Sequence, residues 1–265
     1  MKILEKDPKK ENSFGEMLRF WRKINHISQM DFSLDIEIST RHLSFLETGK
    51  SKPSYNLVLK ISNCLKLPFR QRNAFLIAAG YVPAFQEEDF TSKNFLVVRE
   101  ALQRMLEKHE PYPAFVVNTS YKILMKNKGY DNLVKLYAGD KTLKKYDNAM
   151  QILFSKDGLQ PFVKDWHVIE YFLLSRLKEE IVSTQNKELS KLYLELCKKQ
   201  KERSSNNMQM DSNLPVMTLV LEKELLKTSF FTTITTLGTP LDVTTQELKI
   251  ELLFPSNDET KKLFF

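Results

Sequence analysis

The side chains with the clearest chemical role lie on one face of a short predicted helix. At about 100° per residue, Leu43 and Leu46 point together into a core, which leaves Arg41 nearly opposite and Ser44 and Phe45 obliquely outward. A guanidinium can bind guanine through two hydrogen bonds, a hydroxyl can contact bases or phosphates, and an aromatic ring can meet a thymine methyl. The chemistry indicated is recognition of base edges in the DNA major groove.

Residues on both sides of this helix are placed to fix it on the DNA backbone. Gln29 begins the preceding helix, and Lys50 and Lys52 follow the recognition helix, so all three are expected to meet phosphate. The predicted DNA-binding residues are Gln29, Ser39, Thr40, Arg41, Ser44, Phe45, Lys50 and Lys52. The same pattern also fits a solvated Arg41 and a Phe45 packed under the next helix. Glu47 is predicted to be structural, bonding within the bundle.

Five short helices over residues 13–80 are predicted to position these side chains. The second runs from 28 to about 36, the third ends at Gly49, and the fifth runs from about 70 to 79. Serines stand where the first four helices need an N-cap, at Ser13, Ser28, Ser39 and Ser54.

The positive charge of the chain is concentrated at its N-terminal end. Residues 1–85 hold 14 Lys and Arg against 8 Asp and Glu, which accounts for +6 of the net charge of +7. A basic third attached to a nearly neutral remainder fits a nucleic-acid-binding module joined to something else.

The string Ser28-Gln29, then Ser39-x-x-x-Leu43-Ser44-x-x-Glu47-x-Gly49-x-x-x-Pro53, resembles the Cro/phage-repressor type of helix-turn-helix. The resemblance implies five helices and DNA-contact roles for Gln29, Thr40, Arg41, Ser44 and Phe45. One residue departs from the family pattern, because Glu37 stands in the turn where glycine is usual. A turn conformation that glycine takes more easily is expected to cost Glu37 about 1 kcal/mol.

The rest of the chain is predicted to be an α+β domain over residues 95–265, after a linker at 81–94. Its apolar periodicity alternates between helical and strand patterns. Helices are predicted over 95–109, 129–137, 146–154, 165–182 and 186–200, strands over 114–117, 121–125, 216–221, 229–236 and 248–254, and a mobile loop over 201–213.

No catalytic or metal-binding pattern stands out in this second domain. GxSxG, HExxH and glycine-rich phosphate loops are missing from the sequence, so an enzyme is not indicated and no cofactor or metal is expected. Cys64 and Cys197 are predicted to be buried hydrophobes. Glu179 and Glu180 are predicted to be solvated. The sequence shows neither a secretory signal nor a membrane-spanning run, which predicts a cytoplasmic protein.

Several strings together resemble the MmyB-like regulator family, in which a helix-turn-helix precedes a PAS-like ligand-binding domain. They are Arg41-His-Leu-Ser-Phe-Leu-Glu-Thr-Gly49, Arg72-Asn-Ala-Phe-Leu-Ile-Ala-Ala-Gly-Tyr81, Glu110-Pro-Tyr-Pro-Ala-Phe-Val-Val117, Asp157-Gly-Leu-Gln-Pro161, Phe231-Thr-Thr-Ile-Thr-Thr-Leu-Gly-Thr-Pro-Leu-Asp-Val243 and Glu247-Leu-Lys-Ile-Glu251. The resemblance implies a mixed sheet flanked by helices, a buried pocket, dimerisation and an apolar ligand of fatty-acid type.

Such a pocket needs an apolar wall with an occasional hydroxyl for a carboxylate head group. Alternation places Phe231, Thr233, Thr235 and Leu237 on one face of a strand, and the same pattern also fits plain sheet core. Phe115, Trp166 and Phe172 are likewise either pocket lining or core. These seven residues are the predicted ligand contacts.

Together the patterns predict an all-α five-helix helix-turn-helix domain followed by a PAS-like α+β domain. The predicted function is a homodimeric transcription regulator that binds a double-stranded DNA operator and senses a small apolar ligand. Two alternatives stay open: a second domain that is a ligand-free dimerisation or protein-interaction module, and, less favoured, an enzyme with an appended helix-turn-helix.

Overall fold

Five helices surround one apolar core at the N-terminal end of the computed structural model, which describes residues 13–198 and 216–264. They are α1 (Phe14–Ile24), α2 (Gln29–Asp35), α3 (Thr40–Glu47), α4 (Tyr55–Cys64) and α5 (Phe69–Ala78). The first four begin as predicted, since the hydroxyls of Ser13, Ser28, Ser39 and Ser54 each accept a hydrogen bond from a backbone N–H three residues later.

The turn between α2 and α3 contains the strain that the sequence predicts. Glu37 adopts a left-handed conformation with φ of 53°, and the N–H of Ile38 donates to the carbonyl of Ser33 at 2.9 Å to close α2. The exposed Glu37 side chain binds Lys60 of α4. A non-glycine residue in a left-handed conformation therefore forms the turn that sets the angle between α2 and α3.

The second part of the chain is built on one five-stranded sheet with helices on both faces. Its strands are β1 (Ala114–Val117), β2 (Ile123–Lys126), β3 (Thr218–Lys223), β4 (Leu226–Thr235) and β5 (Lys249–Pro255), in the order β2-β1-β5-β4-β3. Its helices are α6 (Leu96–Lys108), α7 (Lys128–Ala138), α8 (Asp140–Lys145), α9 (Ala149–Phe154), α10 (Trp166–Thr184), α11 (Lys187–Lys198) and α13 (Asp258–Phe264). A short helix, α12 (Val243–Glu247), lies in the connection between β4 and β5. The α+β class is confirmed, but every strand pair is antiparallel, so the expectation of a mixed sheet is wrong.

Strand register shows which residues share a face of the sheet. Ala114 of β1 is opposite Leu252 of β5, which is opposite Thr233 of β4, and α6 packs on this face. Phe115 is opposite Glu251, which α10 contacts from the other side. We call these the α6 face and the α10 face.

Contacts divide the chain at a point that the sequence does not reveal. Of the described residues, the helical unit contains 13–88 together with 239–246, and the sheet unit contains the others. Much of the predicted linker thus belongs to the helical unit, since the Asn73 side chain accepts from the N–H groups of Ala84 and Phe85. Helices α8, α12 and α13 were not predicted, and the predicted loop at 201–213 lies outside the described residues.

Among the described helices, none combines the length and the apolar character that a membrane crossing requires.

Glycine at position 37 is expected to relieve the strain in the α2–α3 turn. Glu37→Gly and Glu37→Ala both remove the exposed ion pair with Lys60, but only glycine lacks the Cβ that disfavours positive φ. The glycine variant should be more stable than the alanine variant by about 1 kcal/mol. The measurement is urea unfolding followed by Trp21 fluorescence in a Trp166→Phe background, since the chain has two tryptophans. Equal midpoints would show that the turn is not strained.

Candidate DNA-binding and ligand-binding sites

Helix α3 presents the outward face that the sequence predicts. Leu43 and Leu46 are fully buried, whereas Arg41 is exposed. Ser44 and Phe45 are half-buried. Thr40 and Ser39, at the start of the helix, are also exposed. The reading face therefore has a guanidinium at its centre and hydroxyls beside it.

Phe45 supports two cations on this face. The guanidinium carbon of Arg41 lies 5.4 Å from the centre of the Phe45 ring, and the Lys50 amine lies 5.9 Å from it. Cation–π contacts at exposed sites contribute about 0.5–1 kcal/mol. The ring thus limits the orientations of Arg41 before any DNA is bound.

The end of α3 fixes the position of Lys50. Gly49 has φ of 74°, its N–H donates to the carbonyl of Leu46 at 3.2 Å, and the N–H of Lys50 donates to the carbonyl of Phe45 at 2.8 Å. This is a Schellman motif, which needs a left-handed residue after the helix. Lys50 and Lys52 are exposed beyond it, as a phosphate contact requires.

One buried carboxylate connects three helices behind the reading face. Glu47 of α3 accepts from Arg22 Nε of α1 at 2.6 Å and Nη2 at 3.2 Å, and from Gln29 Nε2 of α2 at 2.8 Å. Arg22 Nη1 also donates to the carbonyl of Ile27, and Arg19 Nε lies 3.4 Å from the carboxylate. The predicted structural role of Glu47 is confirmed. The amide of Gln29, predicted to meet phosphate, is bonded to this carboxylate.

Burial alone would raise the pKa of Glu47. Hydrogen bonds from Arg22 and Gln29, together with the charges of Arg22 and Arg19, outweigh burial, so the net effect is a lowered pKa. Sequence reasoning missed Arg22, although it follows Leu18 by four residues and therefore shares its inward face of α1.

The seven predicted ligand residues lie on two sides of the sheet. Phe231, Thr233 and Thr235 pair with β5 residues of the α6 face, and Leu237 packs against the same α6 cluster, so their common face is as predicted. Phe115 belongs to the α10 face, where its ring lies 4.8 Å from Tyr130. Trp166 and Phe172 are on α10 itself. The seven residues therefore do not line a single cavity.

Burial differs among these residues. Phe115 and Trp166 are buried, the latter with its ring 4.9 Å from Phe154, whereas Phe172, Thr233 and Thr235 are exposed. Two depressions of the described surface, of about 470 and 120 Å³, are lined by other residues. No group of three or more metal-binding side chains occurs in the described part of the chain.

A charged cluster on the α10 face was not predicted. Arg176 Nη2 donates to Tyr121 Oη at 2.9 Å and to Glu251 Oε1 at 3.2 Å, and Tyr121 donates to Glu180 at 3.0 Å. Lys249 also binds Glu180. The prediction that Glu180 is solvated is wrong, because α10 turns this residue toward β5. Burial raises the pKa of Glu251 despite the nearby cations and lowers that of Lys249.

Comparison with known proteins adds two family matches. The MmyB-like transcription regulator ligand binding domain matches residues 98–264, well over half of the chain, and a helix-turn-helix family matches residues 18–71. Both are regulator domains and not enzymes. No curated protein matches the chain in sequence.

Two solved structures have a limited likeness to the chain. The clp gene regulator ClgR from Corynebacterium glutamicum is 23% identical over 38% of this chain and 94% of its own, with a TM-score of 0.23. An RNA-binding light-oxygen-voltage receptor is 8% identical over 95% of this chain, with a TM-score of 0.31, and the match spans 61% of that receptor.

Neutralising Glu47 should destabilise the helical unit and change its response to pH. Glu47→Gln leaves Arg22 buried without its countercharge, a loss of roughly 3–5 kcal/mol at neutral pH. Because the folded pKa is lowered, the stabilisation by Glu47 is present above its unfolded value of about 4.3 and is lost as pH falls through the folded pKa. Urea midpoints from Trp21 fluorescence, measured from pH 7 downward in the Trp166→Phe background, test both effects. The control is Asp35→Asn at an exposed carboxylate, and a matching pH profile for the two variants would refute the role of Glu47.

Loss of Arg41 should reduce discrimination between DNA sequences, whereas loss of Lys50 should not. Arg41→Ala is expected to lose about 1–3 kcal/mol of preference for the promoter beside its own gene over random DNA of equal length. Lys50→Ala should weaken binding to both duplexes evenly. Fluorescence anisotropy titrations measure the affinities, with Lys23→Ala on α1 as a charge-matched control. The reading face is misassigned if Arg41→Ala keeps the parent's preference as the two lysine variants do.

Proposed function

The chain belongs to the MmyB-like transcription regulators, and we propose that it acts as a homodimer that reads a two-fold symmetric DNA operator under the control of an apolar ligand. Its architecture is that of a ligand-sensing regulator, with a helix-turn-helix followed by a ligand-binding domain.

The observation that carries the DNA-reading role is the orientation of α3. Arg41 lies over Phe45 on the outward face, while Glu47 on the inward side is held by Arg22 and Gln29. An outward face with a preset guanidinium suits bidentate contact with guanine in the major groove. In a homodimer, two such helices would meet half-sites about 34–36 Å apart along the duplex. A regulator that acts on its own genome would work in the cytoplasm.

We propose an elongated apolar acid, of fatty-acid type, as the ligand. The family match supports a small-molecule ligand, and an acidic head group would compete with Glu180 and Glu251 for the cations of the α10 face. Exposed Phe172 precedes partly exposed Arg176 by one helical turn, so an acyl chain along Phe172 would bring its carboxylate toward Arg176 and Lys249. No other cofactor is part of the proposal.

A second candidate function has one specific observation in its favour. Because the predicted ligand residues are split between two faces and line neither described depression, the sheet unit also fits a ligand-free dimerisation or protein-interaction module. In that case the helical unit would bind DNA without a small-molecule signal.

Native mass spectrometry of the purified full chain separates the two functions. The sensor predicts a dimer that retains a small apolar acid, and removal of that acid by organic extraction should change promoter affinity by about 5–150-fold, the usual range of allosteric coupling. The change should reverse when the extracted acid is added back. A dimer that carries no small molecule, and whose affinity the extract does not alter, would refute the sensor and support the interaction module.

A further inference from the structure

The middle of the connection between β4 and β5, residues 239–246, belongs structurally to the helical unit. The chain leaves the sheet after Thr235, residues 239–246 make their contacts with the helical unit, and the chain returns to the sheet at Lys249. We call residues 239–246 the coupling segment. Its short helix α12 starts at Val243, whose side chain is fully buried.

Backbone groups of residues 86–88 hold the coupling segment in place. The N–H of Val243 donates to the carbonyl of Gln86 at 2.9 Å, and the Thr244 hydroxyl donates to the carbonyl of Glu88 at 2.6 Å. The N–H of Glu88 donates to Asp242 Oδ2 at 3.4 Å. Residues 84 and 85 are in turn held by Asn73 of α5, so residues 84–88 attach the coupling segment to α5.

The side chain of Gln246 caps α5 directly. Pro68 occupies the N-cap position of this helix and provides no side-chain acceptor, unlike the serines that begin α1 to α4. Gln246 Oε1 accepts instead from the N–H of Phe69 at 2.6 Å, across 177 residues of sequence. An N-terminal N–H group that lacks an acceptor destabilises a helix, so α5 depends on a residue of the β4–β5 connection.

Little chain separates this cap from the charged cluster of the sheet. Gln246 precedes Lys249, the first residue of β5, by three positions, and Lys249 binds Glu180 of α10. A shift of β5 by about 1 Å would lengthen a 2.6 Å contact beyond hydrogen-bonding distance unless the cap moved with it. Two residues of chain, 247 and 248, therefore join the cap of α5 to the start of β5.

From α5 a chain of packed residues reaches the reading helix. Phe75 of α5 makes an edge contact with Phe14 of α1, with ring centres 5.6 Å apart, and both are in the core of the helical unit. Helix α1 also carries Arg22, which binds Glu47 at the end of α3. Helix α5 thus receives the cap, and α1, which packs against α5, holds the reading helix.

We propose that the coupling segment transmits the state of the sheet to the helix-turn-helix, with Gln246 as the positioning residue for α5. A change in β5 strengthens or weakens the cap, and α5 passes the difference through α1 to α3. As a route for ligand control this inference rests on the proposed function, whereas the coupling between β5 and α5 exists with or without a ligand. Regulation through it requires that the ligand bind the two states with different affinity.

Hydrogen exchange in the full chain tests the coupling without ligand or DNA. Gln246→Ala should raise exchange in the first turn of α5 roughly 3- to 10-fold, the loss expected for one hydrogen bond. Gln246→Glu keeps an acceptor at the helix N-terminus and should restore protection. Leu241→Ala, at a fully exposed site of the same segment, is the matched control and should leave exchange unchanged.

A second variant on the sheet side separates a coupling role from a purely local cap. Glu180→Gln weakens the anchor of Lys249 without touching the helical unit, and it should also raise exchange in the first turn of α5. In a Gln246→Ala background it should add nothing. The inference is overturned if Gln246→Ala leaves α5 unchanged, if Glu180→Gln has no effect on α5 in the parent, or if the two effects simply add. None of these readouts depends on a ligand, so they remain informative if the sensor proposal fails.

Discussion

The buried carboxylate of Glu47 is the constraint on which the DNA-reading unit depends. A buried charge must be paired and hydrogen-bonded, and here the partners come from two other helices, Arg22 from α1 and Gln29 from α2. Because Arg22 contacts the carboxylate through two nitrogens, small rotations of α3 would break at least one bond. The inward side of the recognition helix is therefore fixed, which determines where Arg41 points on the outward side.

The sheet unit contains a second buried carboxylate, Glu251, whose pKa shifts in the opposite direction to that of Glu47. Burial raises the pKa of Glu251, whereas hydrogen bonds and nearby cations keep that of Glu47 low. Glu251 shares its cluster with Arg176, Lys249 and another carboxylate, Glu180, so the cluster joins α10 to β5. The Arg22–Glu47 pair joins α1 to α3 in the same way. The coupling segment ends three residues before Lys249 of the α10-face cluster, and it belongs to the unit that contains the Arg22–Glu47 pair.

Local signals in the sequence predicted the first five helices well, because N-caps, apolar periodicity and the strained turn at Glu37 are properties of neighbouring residues. Features that depend on contacts between residues far apart in the sequence could not be predicted. Glu180 looks solvated within its own helix, but its side chain is mostly covered where it binds Lys249 of β5 and accepts from Tyr121. Phe115 and Phe231 are both apolar strand residues, and only the strand register reveals that they face opposite sides. The cap of α5 lies 177 residues away, beyond any helix-start pattern.

The most direct measurement for the account as a whole is selection of bound duplexes from a random DNA pool by the full chain, followed by base-methylation interference on the selected sequence. The expected result is a two-fold symmetric sequence with half-sites about 10 base pairs apart, in which methylation of guanine N7 in the major groove blocks binding once in each half. The absence of an enriched sequence, or interference only from adenine N3 in the minor groove, would contradict the claim that α3 reads DNA with its outward face.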